Sequence, residues 1–318
     1  MLKNIFSNFG STFLLLGAII SGSMIGYFSP DTGEALGGYV DYTILALVSI
    51  LFLEVRFEAL TKIINNLRFL AIAWLANFIL IPTIGFLIAT LFLSGKPLFF
   101  TGLLIYFIAP CTDWFLGFTR LAGGNTTLGA GLIPVNMVSQ LLLYPVYLSI
   151  FAKEEVGVDM ATMGDTLLDW FLIPFVAAIV VRLVSKNLLS ESAFEGFLTI
   201  VGKTVTLVIA TLVLFIFSAN INTILSHVGI FAYILVAVFI FFIVTFFLGE
   251  LISKMTKLDR PEHVLLTMTT AARNAPLMLG LTAAALPDQP LIYAALVIGM
   301  LVEFPHLIAL KHLLLKKA

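Results

Sequence analysis

The chain has 318 residues, of which 60% are hydrophobic and 11% charged, with a net charge of −1. A soluble domain carries about 25% charged residues and cannot hide this much apolar surface from water, so the composition excludes a soluble fold and points to lipid as the solvent. The charge balance excludes nucleic acid as a partner, and the single cysteine, Cys111, excludes an intramolecular disulfide and a metal site built on thiols.

A membrane-crossing helix needs about 20 mostly apolar residues. Runs of this kind predict ten spans, at 11–29, 38–55, 67–93, 97–121, 125–151, 164–184, 198–219, 227–251, 263–286 and 290–314. Turn residues separate them at Ser29-Pro30-Asp31, Ser94 to Pro97, Gly123-Gly124-Asn125 and Leu286-Pro287-Asp288. The last connection is tight, so the ninth and tenth spans are expected to be antiparallel neighbours. Little chain remains for a separate soluble domain.

Basic residues set the orientation. One side of the predicted spans holds Lys3, Arg56, Lys62, Arg68, Arg120, Arg182, Lys186, Lys254, Lys257, Arg260, Lys311, Lys316 and Lys317. The other holds Lys96 and Lys153, with acids such as Asp31, Glu34, Glu154 and Glu155. This asymmetry predicts a multi-pass protein of the inner or plasma membrane with both termini cytoplasmic. Lys203 lies where it can snorkel to the interface. Arg273 is then the one basic residue without a place in a loop or at a helix end.

The chain also reads as a duplication, with five spans in 1–155 and five in 156–318. Five is odd, so the second set would enter the membrane from the opposite face, the inverted repeat of many secondary transporters. The segment from Met137 to Gln140 echoes that from Met300 to Glu303, in the fifth span of each half.

Polar residues concentrate in the fourth span of each half. The first reads LLIYFIAPCTDWFLGFTRLAGG and holds Pro110, Cys111, Thr112 and Asp113. The second reads VLLTMTTAARNAPLMLGLTAAA and holds Thr269, Thr270, Arg273, Asn274 and Pro276. Proline removes a backbone donor and clashes with the preceding turn. Backbone groups freed in this way are tolerated in a membrane only where protein or a wet cavity satisfies them. Pro110 and Pro276 therefore predict two helix breaks at a binding centre; paired proline kinks with a structural ion pair are the bland alternative. Asp113 and Arg273 have opposite charges and are expected to face each other.

Asn136 and Gln140 are four residues apart and share a helix face. Glu303 takes the repeat position of Gln140, and a carboxyl at membrane depth suits a proton relay. His306, one turn on, reads as interfacial. Cys111 beside Pro110 reads either as small apolar packing or as a soft ligand for a thiophilic solute. There is no GxxxxGK[ST] loop, HExxH, GxSxG or Cys/His cluster. A carrier driven by an ion gradient, without an ATP-binding subunit or a cofactor, is expected, and not an enzyme.

The segments IAPCTDWFLGFTRLAGGN, LIPVNMVSQLLLYPVYL and TMTTAARNAPLMLGLTAAALPDQPLIYAALVIGMLVEFPHL resemble the bile acid:sodium symporter superfamily, nearest its arsenite efflux permease branch. The resemblance implies an all-α membrane protein of ten transmembrane helices in two inverted five-helix repeats. It implies a panel domain (spans 1, 2, 6, 7) and a core domain (spans 3–5, 8–10), with broken spans 4 and 9 crossing. It also implies that Cys111 and Glu303 match a functional cysteine–glutamate pair and that Asn136 matches a functional asparagine. At the sodium-binding positions of the bile acid branch this chain has Thr269 and Arg273. An arginine there repels sodium and serves as a fixed cation, so proton coupling through Glu303 or Asp113 is expected. The first reading is proton-coupled efflux of arsenite or a related small solute. The alternative is an ion-coupled carrier of a small organic anion, with Arg273 contacting the anion.

Overall fold

In the computed structural model, which describes residues 2–55, 57–112, 114–151 and 168–316, the regular elements are helices, together with one isolated antiparallel bridge. Helix α1 is Leu2–Phe28, α2 is Pro30–Gly37 and α3 is Val40–Glu54. The short α4, Leu60–Ile64, precedes α5, Leu67–Leu75, which passes through a π turn at Ala76–Leu80 into α6, Ile81–Leu93. Helix α7 is Pro97–Ile108, α8 is Trp114–Leu121 and α9 is Thr126–Phe151. A second π turn at Leu168–Leu172 opens α10, Ile173–Leu188, followed by α11, Glu191–Leu225, and α12, Val228–Thr256. The chain continues through α13, Arg260–Ala271, α14, Ala275–Ala285, and α15, Pro290–Lys316.

Local chemistry sets the helix starts. Proline occupies the first turn of α2, α7 and α13, where its missing N–H has no intrahelical partner to lose, while Pro82 and Pro174 stand just after the two π turns. Asn66, Ser190 and Asp259 cap α5, α11 and α13, each accepting from a backbone N–H three residues on. Gly95 and Gly123 turn the chain with φ of 79° and 78°, where other residues would be strained.

The expected ten membrane-crossing helices in two inverted five-helix repeats, with panel and core domains, are not found. Among the described residues six helices are long and apolar enough to cross a membrane, or seven if the bent pair α2 and α3 counts as one span. The six are Leu67–Leu93, Thr126–Phe151, Leu168–Leu188, Glu191–Leu225, Val228–Thr256 and Pro290–Lys316. The predicted spans at 97–121 and 263–286 resolve into pieces of 12 and 8 residues and of 12 and 11 residues. Apolar composition reads straight through a break, whereas crossing needs about 20 residues of helix. The proposed boundary between residues 155 and 156 lies outside the described residues.

The chain divides into two compact units. One draws on Met1–Val55, Asp159–Val228 and Pro276–Val297, the other on Arg56–Val158, Gly229–Ala275 and Ile298–Ala318. In the first, α1 packs along α11 through Gly22 and Gly26, where a Cβ would overlap the carbonyl oxygens of Leu214 and Ser218. Four-residue spacing of small side chains lets two backbones approach in this way. Arg182 is buried there, donating to Leu53 O at 2.8 Å with its guanidinium 5.6 Å from the Phe194 ring centre.

The second unit is built on buried aromatic residues. Phe107 stacks on Phe241 with ring centres 4.3 Å apart, and Trp114 meets Phe304 edge-on at 4.8 Å. Gly85 lies against Phe107, and Gly299 against the Tyr106 ring. The two breaks, at Pro110 and Arg273, lie inside this unit.

Candidate functional site

Helix α7 stops at Ile108 because Pro110 offers no N–H and disfavours helical geometry in the residue before it. Ala109 is accordingly extended, with φ −105° and ψ 112°. Helix α13 ends at Ala271, with Ala272 likewise extended at φ −75° and ψ 137°, and Pro276 lies in the first turn of α14. The two interruptions pair in antiparallel fashion. Cys111 N–H donates to Ala272 O at 3.0 Å, Asn274 N–H donates to Ala109 O at 2.9 Å, and Pro110 lies opposite Arg273. Backbone groups that a continuous helix would satisfy are satisfied here by the other break.

Arg273 lies at the centre and is wholly buried. Its Nη1 donates to Phe107 O at 2.8 Å, and its Nη2 donates to Thr269 O at 2.9 Å and Thr270 O at 2.8 Å. These carbonyls belong to the last turns of α7 and α13, where intrahelical donors run out. The guanidinium also lies 5.5 Å from the Phe241 ring centre. Its Nε has no hydrogen-bond partner among the described residues. Through its backbone N–H, Arg273 donates to Glu303 Oε1 at 3.0 Å, and Tyr106 Oη donates to Glu303 Oε2 at 3.4 Å.

Two amide clusters flank this centre. Asn274 Nδ2 donates to Thr112 Oγ1 at 3.0 Å and to Gln140 Oε1 at 3.3 Å. Asn77 and Asn136 both donate to Thr269 Oγ1, at 3.1 and 3.4 Å. The Oδ1 atoms of Asn77 and Asn136 are buried without a partner among the described residues. Asn77 stands in the π turn between α5 and α6, a distortion frequent at functional positions.

The structure thus gathers Thr112, Gln140, Arg273, Asn274 and Glu303 around the two breaks, with Asn136 reaching Thr269 one turn from Arg273. Cys111 is buried in the first break. Asp113, the expected partner of Arg273, lies outside the described residues. His306 lies apart from the breaks: its ring stacks on Phe242 at 4.3 Å, in an apolar groove of about 500 Å³. Sequence reasoning missed Asn77 and Tyr106. The available signals were a lone amide in the apolar run at 67–93 and a lone hydroxyl in LLIYFIAP. No group of three or more His, Cys, Asp or Glu among the described residues could hold a metal ion.

The paired breaks thus hold a buried guanidinium, a buried carboxyl and several side-chain amides. Residues 43–227 match the profile of the Sodium Bile acid symporter family. Over 274 residues the chain is 22% identical to the arsenical-resistance protein Acr3 of Corynebacterium glutamicum, covering 82% of this chain and 74% of that protein.

Proposed function

Because the chain belongs to the Sodium Bile acid symporter family, and is a multi-pass secondary transporter handling a small substrate rather than an enzyme, we propose that it carries a small organic anion with the paired breaks as its binding centre. The observation that carries this reading is Arg273, a buried permanent cation held between two half-helix ends. Each break also leads directly into a helix N-terminus, at Trp114 and Ala275, a favourable position for an anion. The Arg273 Nη groups are engaged by carbonyls, so an anion would meet the field of the guanidinium and the amides of Asn274, Asn136 and Gln140 rather than a two-pronged arginine clamp. Glu303 is the coupling group in this reading, taking up and releasing a proton as the break moves. The lysine and arginine asymmetry of the sequence favours cytoplasmic termini in this reading.

A second reading, proton-coupled efflux of arsenite, is favoured by Cys111 in the break and by the likeness to an arsenical-resistance protein. Reconstituted vesicles separate the two. Uptake of a labelled small carboxylate, driven by an imposed pH gradient and independent of sodium, is expected. Arsenite movement with no carboxylate movement would sink the anion reading in favour of the second.

A further inference from the structure

We propose that the groove between α12 and α15 binds one anionic phospholipid, with an acyl chain along the groove and the phosphate at Lys254 and Lys316. Both helices are among the six long and apolar enough to cross a membrane. The groove encloses about 500 Å³ and is lined from Phe239 to Phe247 on α12 and from His306 to Leu313 on α15. Phe239 and Phe247 are more than half exposed, so its mouth faces the lipid. Along α12 the lining spans about 12 Å of helix rise, close to the roughly 15 Å of hydrocarbon in one leaflet.

His306 forms part of the wall. Its ring lies flat on Phe242, with ring centres 4.3 Å apart and 3° between the planes. Its Nδ1 donates to Val302 O at 2.5 Å, since a carbonyl can only accept, and this bond holds the imidazole in place.

The groove has a basic end. Seven residues, or two turns, past Phe247 the same face of α12 carries Lys254, and seven past Ala309 the same face of α15 carries Lys316. Both lysines are exposed. Arg260 donates to Leu314 O at 3.2 Å, which ties the turn after α12 to the last turn of α15 and keeps the two lysines at one end. Glu250, the acid on the α12 face between groove and lysine, is engaged by His263 Nε2 at 3.2 Å. The lysines stand about 10 Å beyond the lining, a distance that snorkelling side chains and a lipid headgroup share. An anionic phospholipid brings an apolar chain and a negative charge in one molecule, in the order the groove presents them. A second copy of the chain would fill the apolar part and leave the lysines unmatched.

The test follows thermal unfolding of the purified full chain in detergent, titrated with dioleoyl phosphatidylglycerol, dioleoyl phosphatidylcholine or oleate, with particle mass read by light scattering. Phosphatidylglycerol is expected to raise Tm saturably by about 3 °C or more over phosphatidylcholine. Ala309→Trp, which puts an indole into the groove, should abolish that rise. Lys254→Gln combined with Lys316→Gln should make the two phospholipids equal. If Ala309→Trp does not fold, the lysine variant, changed only at exposed positions, decides. Equal responses to the two phospholipids in the parent overturn the proposal, as does the parent's preference surviving in the lysine variant or in a folded Ala309→Trp. An equal rise with oleate would give the groove to a free fatty acid, and a dimer dissociated by Ala309→Trp would give it to a second copy; either overturns the proposal. None of these outcomes depends on which solute the paired breaks carry.

Discussion

The backbone N–H of Arg273 donates to Glu303 Oε1 at 3.0 Å, so the carboxyl of one helix is tied to the main chain of the break in another. Tyr106 Oη reaches the second oxygen of the same carboxyl at 3.4 Å. A carboxylate accepts such bonds about twice as strongly as a neutral group. The charge of Glu303 and the geometry of the break are therefore linked, and proton uptake would loosen the contact that holds the break in place.

Glu303→Gln tests that linkage. The amide oxygen can still accept from Arg273 N–H, so the protein is expected to fold, with its stability lowered by about 1–2 kcal/mol for loss of a charge-assisted bond. Transport driven by a pH gradient should fall at least tenfold and lose its pH dependence, read as initial rates in vesicles at two external pH values. A variant that keeps the parent pH profile would remove Glu303 from coupling.

Asn274→Ala removes the donor shared by Thr112 Oγ1 and Gln140 Oε1 and leaves a buried amide oxygen without that partner. The expected loss is about 1–3 kcal/mol in stability. If the cluster also holds the solute, KM should rise several-fold in a variant that still accumulates in the membrane. An unchanged KM would assign Asn274 to structure alone.

Much of this centre was legible in the sequence, for an identifiable reason. Arg273, Asn274 and Glu303 are residue types that a lipid-facing helix excludes, and Pro110 and Pro276 interrupt the helical hydrogen bonds, so their presence in apolar runs marks them at once. The partners of Arg273 were not legible, because Phe107, Thr269 and Thr270 contribute backbone carbonyls, which every residue has. Asp113, the side-chain partner expected from charge, lies outside the described residues. The count of spans failed for a different reason: Pro110 marks the break in 97–121, but the apolar composition does not register that the pieces on either side, of 12 and 8 residues, are too short to cross. Asn77 needed the π turn at Ala76–Leu80 to be recognised, and a local change of helical pitch leaves no periodic trace in five residues.

Gly26→Ala tests the packing of the first unit. Its Cβ would overlap Ser218 O, which is backbone and cannot swing aside, so α1 and α11 must separate locally. Overpacking of this kind is expected to cost about 1–3 kcal/mol and to lower Tm. Gly17→Ala, on the same helix with nothing within 4 Å of the added Cβ, is the control. It should be neutral or slightly stabilising, since alanine is the better helix former. Equal losses in both variants would mean that the close approach of α1 to α11 is not what the glycine serves.

Cys111→Ser separates the two solutes. The thiol is buried, and the backbone N–H of Cys111 pairs with Ala272 O at 3.0 Å whatever the side chain. Serine is close in size, so the break should survive, with a small penalty for burying a hydroxyl. An organic anion has no use for a soft sulfur ligand, and its transport is expected to stay within about twofold of the parent, since only the sulfur changes. Arsenite binding through sulfur would be lost, because a hydroxyl is a hard and weakly acidic donor. Parallel flux measurements on parent and variant, with a labelled carboxylate and with arsenite, read both outcomes from one preparation. Loss of carboxylate flux with intact folding would place the sulfur itself in the solute path and count against the anion reading.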